Sequence, residues 1–183
     1  MCRASLVAPL LGTERIELDP LTVAAADEMV EVLSDPWLYE FIGGSPPDLP
    51  ALRERYIRQV RGVSPDGGER WLNWVLRERK SGSAVGYVQS TVVLRTGVAD
   101  LAWVVSTVFQ GRGYATEGAA TALSWLESRP EVRRVTAHIG PRNAASVAVA
   151  RRLHFRPTAE VVDGETVWEH RSLNPNASNS RRC

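Results

Sequence analysis

Apolar and polar positions alternate with the period of β-strands in several segments of the first half of the chain. Residues 15–18 have this alternation and are followed by Asp-Pro, a strand-ending pair. Residues 71–76 and 84–94 are two further strand-like runs, and the Ser-Gly-Ser sequence at 81–83 between them predicts a hairpin. Residues 99–105 are largely apolar and predict another strand. This part of the chain therefore predicts antiparallel β-structure.

Helical spacing of apolar residues occurs in four segments: residues 23–33, 49–61, 116–127 and 144–153. A buried strand is predicted at 135–139, and two closing strands are predicted from Phe155 onward around an Asp-Gly turn at 163–164. The order is antiparallel strands first and a β-α-β-α-β unit afterwards, which predicts a single α/β or α+β domain. The Asn- and Ser-rich segment 172–183 lacks the apolar residues needed for packing, and we expect it to be disordered.

Composition and charge are those of an ordinary globular protein. Of 183 residues, 44% are hydrophobic and 23% are charged, and the net charge of +1 gives no single-sign surface for nucleic acid or an anionic membrane. No segment approaches the roughly 20 apolar residues of a membrane span, so we expect a cytoplasmic protein. Cys2 and Cys183 lie at opposite ends, and His138, His154 and His170 lack metal-ligand spacing, so neither a disulfide framework nor a metal site is expected.

The segment 101–117 combines an apolar strand, a Gly-rich turn and the start of a helix. Backbone N–H groups at a helix start are unpaired and lie at the positive end of the helix dipole, so they suit a phosphate. Gly111 and Gly113 allow the backbone to approach such a ligand closely, and Arg112 and the side-chain amide of Gln110 can add to an anion site. These residues predict a phosphate-binding turn without specifying the ligand.

Two nucleotide-binding motifs are excluded by single positions. A P-loop needs a lysine after its last glycine, but Gly118 is followed by Ala119, and Lys80 is the only lysine of the chain. The dinucleotide fingerprint needs a third small residue where Thr116 stands, and the acidic residue at the expected distance, Glu131, precedes a predicted strand rather than ending it.

The sequence Gln110-x-x-Gly113-x-Ala115 resembles the Gln/Arg-x-x-Gly-x-Gly/Ala signature of the GNAT acetyltransferases. Downstream, Asn143-Ala-Ala-Ser146 and Leu153-His154-Phe155 resemble the Asn-x-x-Ser helix and the Leu-Gly-Phe ending of that family. The resemblance covers residues 13–171, which leaves residues 1–12 as an N-terminal extension, and is greatest to the ribosomal-protein N-terminal acetyltransferases. It implies a central mixed, mostly antiparallel sheet flanked by helices, and acetyl-CoA as co-substrate.

The resemblance also implies which residues bind acetyl-CoA. Its pyrophosphate is assigned to the turn formed by Gln110, Gly111, Arg112, Gly113, Tyr114 and Ala115. The preceding strand is expected to bulge, so that backbone groups of Trp103, Val104 and Val105 bind the pantetheine and the thioester carbonyl. Asn143 is expected to hydrogen-bond the pantetheine arm, to cap its helix, or to do both.

Acetyl transfer to an amine needs a base for the amine and an acid for the leaving thiolate. Asp100 is the candidate base, since several relatives carry a glutamate on this strand, although a solvated carboxylate is the alternative. Glu69 is a second candidate. Many relatives use a tyrosine as the acid, but Ala150 occupies that position, so Ser146 is the candidate acid and a first-turn helix serine is the alternative. His154 stands where the family has glycine.

Together these residues predict an N-acetyltransferase that moves the acetyl group of acetyl-CoA to a primary amine by direct attack in a ternary complex. The amine is a protein N-terminal α-amino group or a small molecule, and the sequence does not decide between them. One alternative is a non-catalytic acyl-CoA-binding sensor or interaction module, and a weaker one is a fragment of an NAD-binding oxidoreductase. A homodimer would be usual for the resembling branch.

Overall fold

A computed structural model describes residues 6–170. Its elements, in chain order, are β1 (Leu11–Gly12), β2 (Ile16–Pro20), α1 (Ala26–Val32), α2 (Tyr39–Ile42), α3 (Leu49–Gln59), β3 (Glu69–Glu78), β4 (Ala84–Val93), β5 (Val98–Val105), α4 (Tyr114–Glu127), β6 (Arg134–Ile139), α5 (Ala144–Arg152), β7 (Phe155–Val162) and β8 (Glu165–His170). Short 3-10 turns precede α1, α2 and the Gly-rich loop. Segment 172–183 and both cysteines lie outside the described residues.

The strands form one sheet in the order β1-β2-β3-β4-β5-β6-β8-β7. Every neighbouring pair is antiparallel except β5 and β6, which are parallel. The parallel pair needs a crossover, and α4 supplies it. The predicted mixed, mostly antiparallel sheet with flanking helices is therefore confirmed.

Helices cover both faces of the sheet. On one face, α4 and α5 pack on Trp74, Leu101 and Phe155, among others. On the other face, α1 and α3 pack through Met29 and Leu52. The helices bury the apolar residues that recur at helical spacing, and the strands bury alternate residues. The patterns in the sequence therefore predict the elements.

The N-terminal segment contacts the domain from the first described residue. Leu6 is buried in the core beneath the sheet, and the indole Nε1 of Trp74 donates a hydrogen bond of 2.7 Å to the carbonyl oxygen of Pro9. Leu11 pairs with Leu18 in the adjacent strand. Part of the predicted N-terminal extension is thus ordered against the domain.

Element boundaries differ from the predictions by a few residues. α4 begins at Tyr114, two positions earlier than predicted, because Gly113 turns the chain directly into the helix at φ 84°. The first predicted helix is a 3-10 turn, Val23–Ala25, that continues into α1. Among residues 6–170, no helix is long and apolar enough to cross a membrane, and no three His, Cys, Asp or Glu residues are grouped to hold a metal ion.

Candidate active site

The sheet opens between β5 and β6. Their parallel pairing covers three residue pairs and ends at Asp100 and Thr136, although β5 continues to Val105 and β6 to Ile139. Beyond Thr136, β6 stays paired on its other side with β8. The two strands therefore part toward their carboxyl ends and leave a gap in an otherwise continuous sheet.

Backbone groups of β5 face this gap. The N–H of Ser106 donates a hydrogen bond of 2.9 Å to the carbonyl oxygen of Val85 in β4. Since hydrogen bonding alternates along an antiparallel pair, Val104 also directs its backbone groups to β4, whereas Trp103 and Val105 direct theirs to the gap. Of the three residues predicted to bind through their backbone, two are thus oriented for it and Val104 is not.

The expected bulge in β5 is not present. β4 and β5 pair in one register, from Val93 with Val98 to Gly86 with Val105. The two strands instead come close together at Gly86, where an added Cβ would lie 2.9 Å from the Cα of Val105. Gly86 is not among the site residues predicted from the sequence, because its importance depends on which residue of β5 it faces.

The start of α4 is open. Gly113, at φ 84°, precedes the helix and offers no side-chain cap. Four other helical segments begin with a side-chain oxygen bound to a backbone N–H, from Thr22, Asp35, Asp48 and Asn143. Gly111, at φ 77°, would have open space around an added Cβ. The first-turn N–H groups of α4 are therefore available to an anion.

Side chains of the predicted turn have mixed orientations. The amide nitrogen of Gln110 donates a hydrogen bond of 3.0 Å to the carbonyl oxygen of Val105, which ties the turn to the end of β5. The guanidinium of Arg112 is exposed and lies 5.1 Å from the ring centre of Phe109. Ala115 is half-buried in the first turn of α4. The exposed Arg112 guanidinium donates a hydrogen bond of 3.3 Å to the carbonyl oxygen of Val108 and lies at the surface of the turn, whereas Gln110 organises the turn.

A polar cluster supports the turn from behind. The Tyr114 hydroxyl donates a hydrogen bond to the Glu78 carboxylate, which holds the pKa of Glu78 below its ordinary value. Arg15 forms an ion pair with Glu117, donates to the carbonyl oxygen of Arg112 at 3.2 Å and lies 5.4 Å from the ring centre of Tyr114. The side chain of Tyr114 is therefore structural, and its backbone N–H is the group that faces an anion.

α5 begins at the same end of the sheet, just after β6. The side-chain oxygen of Asn143 accepts a hydrogen bond of 3.0 Å from the N–H of Ser146, so the predicted capping role is confirmed. Neither the amide nitrogen of Asn143 nor the hydroxyl of Ser146 donates a hydrogen bond within residues 6–170. Two helix N-termini, those of α4 and α5, thus flank the carboxyl ends of the parted strands.

Asp100 lies where β5 and β6 part. Its carboxylate accepts a hydrogen bond of 3.3 Å from the Thr136 hydroxyl and lies 3.8 Å from Nε2 of His138. Burial between the strands raises the pKa of Asp100, whereas His138 and the Thr136 hydroxyl lower it. Since 42% of the Asp100 side chain remains exposed, water tempers the effect of burial. The carboxylate is accessible and close to the gap.

Glu69, the second candidate base, lies away from the gap. The Glu69 carboxylate accepts a hydrogen bond of 2.9 Å from the Trp71 indole, on β3, two strands away from β5. Trp74 is fully buried, as core aromatic residues usually are. His154, at the family's glycine position, adopts φ 62°, so the histidine takes the backbone conformation that a glycine would.

Two cavities lie near β3 rather than at the gap. The smaller, about 40 Å³, is lined by Tyr56, Asn73, Tyr87 and Gln89 among others and has room for two or three water molecules. Burial raises the pKa of Tyr87 to about 12, so its hydroxyl stays protonated. The larger, about 440 Å³, shares Leu21, Gln59 and Asn73 with the smaller one and extends to Arg61, which follows α3.

The family follows from a comparison of sequence profiles. The profile of the acetyltransferase (GNAT) domain matches residues 15–156, which include β5, the Gly-rich turn and both flanking helices. The chain belongs to the GNAT acetyltransferase family. GNAT acetyltransferases use acetyl-CoA as the acetyl donor. The sequence matches none of the curated proteins.

Solved GNAT structures share the fold. A RimL ribosomal L7/L12 α-N-protein acetyltransferase in complex with coenzyme A has a TM-score of 0.75 and 17% identity, over 88% of this chain and 97% of that one. An acetyltransferase from Agrobacterium tumefaciens has a TM-score of 0.71 and 22% identity, over 90% and 95%. A Salmonella typhimurium acetyltransferase that modifies the N-terminal serine of ribosomal protein L7/L12 has a TM-score of 0.71 and 16% identity, over 88% and 96%.

Proposed function

We propose that this GNAT acetyltransferase transfers the acetyl group of acetyl-CoA to a primary amine by direct attack within a ternary complex. The gap between β5 and β6 carries the proposal, because an unpaired strand edge, two helix N-termini and a carboxylate meet there. This arrangement suits a ligand with a phosphate at one end and a reacting carbonyl at the other. The acceptor is the α-amino group of a protein or a small-molecule amine.

The residues of the gap fit acetyl-CoA. The open first turn of α4, with Arg112 beside it, receives the pyrophosphate. Backbone groups of Trp103 and Val105 hydrogen-bond the pantetheine and polarise the thioester carbonyl. The free amide nitrogen of Asn143 donates to the pantetheine arm while its oxygen caps α5.

The proposed chemistry needs proton transfers at the amine nitrogen, before and after its attack, and at the sulfur. Asp100 accepts a proton from the incoming ammonium group, directly or through a water molecule, which leaves a nucleophilic amine. The amine nitrogen then forms its bond to the acetyl carbon as the carbon–sulfur bond breaks. Ser146 donates its hydroxyl proton to the departing sulfur, and the proton that the new amide nitrogen loses is returned through water to Ser146.

Peptide N-termini are the first acceptors to test. Proteins of the same fold include one that modifies the N-terminal serine of a ribosomal protein, although identity at 16% shows only the shared fold. We expect a cytoplasmic homodimer, and light scattering of the purified protein measures its size.

The decisive experiment combines binding with product detection. Excess acetyl-CoA, at a hundredfold its dissociation constant, stabilises the folded state by about 2.7 kcal/mol and raises Tm by roughly 5–10 °C. ATP and NAD at the same concentration serve as controls. Mass spectrometry then follows acetyl addition to a panel of N-terminal peptides and small amines, with the wild type, Asp100→Asn and Ser146→Ala.

Each result has a separate meaning. A Tm shift with acetyl-CoA and acetylated product from the wild type support the proposal, and the Asp100 and Ser146 variants should then lose at least tenfold in kcat. A Tm shift without product from any acceptor supports the acyl-CoA-binding sensor instead. Stabilisation by NAD but not acetyl-CoA would overturn both.

A further inference from the structure

His138 lies beside Asp100 although neither the turn nor the helix motifs include it. In β6, Val135, Ala137 and Ile139 point into the core, so His138 points to the opposite face together with Thr136. Its Nε2 lies 3.8 Å from the Asp100 carboxylate, and 32% of its side chain is exposed. A histidine in this position is close to the carboxylate and accessible to solvent.

A carboxylate is a weak base for an ammonium group. The reference pKa of an Asp carboxyl group, about 3.9, is below that of an imidazole, about 6.5, and burial of Asp100 raises its pKa from that reference. Imidazole is the side chain that exchanges protons with water near neutral pH. A proton received by Asp100 would therefore move favourably to a neighbouring imidazole and then to water.

We propose that His138 is a proton-relay residue that acts through Asp100: it takes up the proton which Asp100 receives from the acceptor ammonium and releases it to solvent. The proton leaves the amine nitrogen, passes to a carboxylate oxygen, then to Nε2, and finally to water, so Asp100 returns to its ionised form. The separation of 3.8 Å exceeds a hydrogen bond, and a small side-chain rotation brings the two groups within hydrogen-bond distance. This inference rests on the proposed function.

The other groups near Asp100 and His138 do not offer an alternative imidazole for the relay. From β4, the residue opposite Asp100 is Thr91, which does not titrate. From β8, Glu169 faces Thr136 and forms an ion pair of 3.5 Å with Arg134, and Glu165 lies on the same face, two positions from Val167, which is opposite His138. From β7, Arg156 faces Glu169. These are the charged residues that the strand registers place on this face around Asp100, and none of them is an imidazole.

Two variants separate a relay from a purely electrostatic role. His138→Gln removes the imidazole, and Thr136→Val removes a hydrogen bond to Asp100 but leaves the imidazole in place. Both raise the pKa of Asp100, because His138 and Thr136 each lower it. Both should therefore move the acidic limb of kcat/KM to higher pH. His154→Gly, an exposed histidine at φ 62° outside the gap, is the control for histidine loss.

A relay predicts one further difference, which is a difference in kcat between His138→Gln and Thr136→Val. At pH 8, on the plateau above the acidic limb of the profile, His138→Gln should lose about tenfold or more in kcat while Thr136→Val loses much less. Added imidazole should restore activity to His138→Ala, whereas the control variant should not respond. If His138→Gln keeps full kcat at pH 8 and shifts only the acidic limb, His138 tunes Asp100 electrostatically and the relay is overturned.

A measurement on the free protein keeps the test independent of turnover. Carbon NMR of the Asp100 carboxyl group follows its titration in the wild type and in His138→Gln. An increase in the Asp100 pKa in the variant supports coupling between the two groups. An unchanged titration overturns the relay, even if the wild type acetylates an amine. A wild type that binds acetyl-CoA but forms no product would instead refute the proposed transfer.

Discussion

A Cβ atom on Gly86 would lie 2.0 Å from the carbonyl oxygen of Val104. Two heavy atoms cannot approach so closely without movement of the backbone, and the atom that has to move belongs to the strand that borders the gap. Glycine at this position therefore allows β4 and β5 to keep their register up to the point where β5 meets the Gly-rich turn.

Gly86→Ala should destabilise the protein and weaken acetyl-CoA binding together. We expect a loss of about 1–3 kcal/mol in the free energy of unfolding, since the clash is with backbone rather than with a flexible side chain. Urea denaturation and calorimetric titration with acetyl-CoA measure the two effects. Gly140→Ala is the matched control, because its Cβ would meet nothing closer than 3.8 Å. An unchanged stability of Gly86→Ala would show that β5 adjusts freely.

Gly111 and Gly82 form a matched pair for testing the phosphate turn. Both have positive φ, 77° and 73°, and both have open space around an added Cβ. Alanine at either position should cost about 1–2 kcal/mol of stability through backbone strain alone. Only Gly111→Ala should raise the Kd for acetyl-CoA, by at least tenfold, because Gly82 lies in the β3–β4 hairpin. Equal Kd values for the two variants would place the pyrophosphate elsewhere.

The two roles of Asn143 can be separated by substitution. Asn143→Ala removes the helix cap and should cost about 1 kcal/mol of stability. Asn143→Ser and Asn143→Asp keep a capping oxygen, so their Tm should stay close to that of the wild type, but both lose the amide donor. Their Kd for acetyl-CoA should rise about three- to tenfold, as expected for one lost hydrogen bond. Wild-type affinity in Asn143→Ser would leave the residue with the cap alone.

The pH dependence of stability should depend on His170. Its Nδ1 lies 3.1 Å from the Glu127 carboxylate in a largely buried site, and burial lowers the pKa of His170 while Glu127 raises it. Because the folded-state pKa is below the ordinary value of about 6.5, the unfolded chain binds more protons there. Stability is therefore lost as the pH falls below about 6.5 toward the folded-state pKa.

Urea denaturation at pH 7 and pH 5 tests whether the free energy of unfolding decreases as the pH falls. His170→Gln should lose less stability between the two pH values than the wild type does. Glu127→Gln should lose more, because removal of the carboxylate lowers the pKa of His170 further. The same pH dependence in all three proteins would contradict the assignment.

Local sequence predicts the turn but not the gap. Gly111 and Gly113 adopt positive φ in the structure, and a glycine-rich motif before a helix is enough to predict this. The position at which β5 and β6 part depends on pairing between residues more than 30 positions apart, Asp100 with Thr136, and no local pattern contains it.

Pairing between distant strands also explains why the roles of individual residues could not be predicted from the sequence. Alternation predicts that His138 lies on the outer face of its strand, but its nearness to Asp100 depends on the β5–β6 register. Val104 was predicted to bind through its backbone, but its N–H and carbonyl groups point to β4 and therefore away from the gap. Sequence motifs locate a binding element, whereas the register decides which of its atoms are available.

The segment that forms the gap and the residues that line the two cavities lie in different parts of the coding sequence. β5, the Gly-rich turn, α4, β6 and α5 follow one another without interruption from Val98 to Arg152, whereas both cavities beside β3 are lined by residues 6–89. Mutations in the first half of the coding sequence can therefore change the lining of both cavities while every residue from Val98 to Arg152 stays the same.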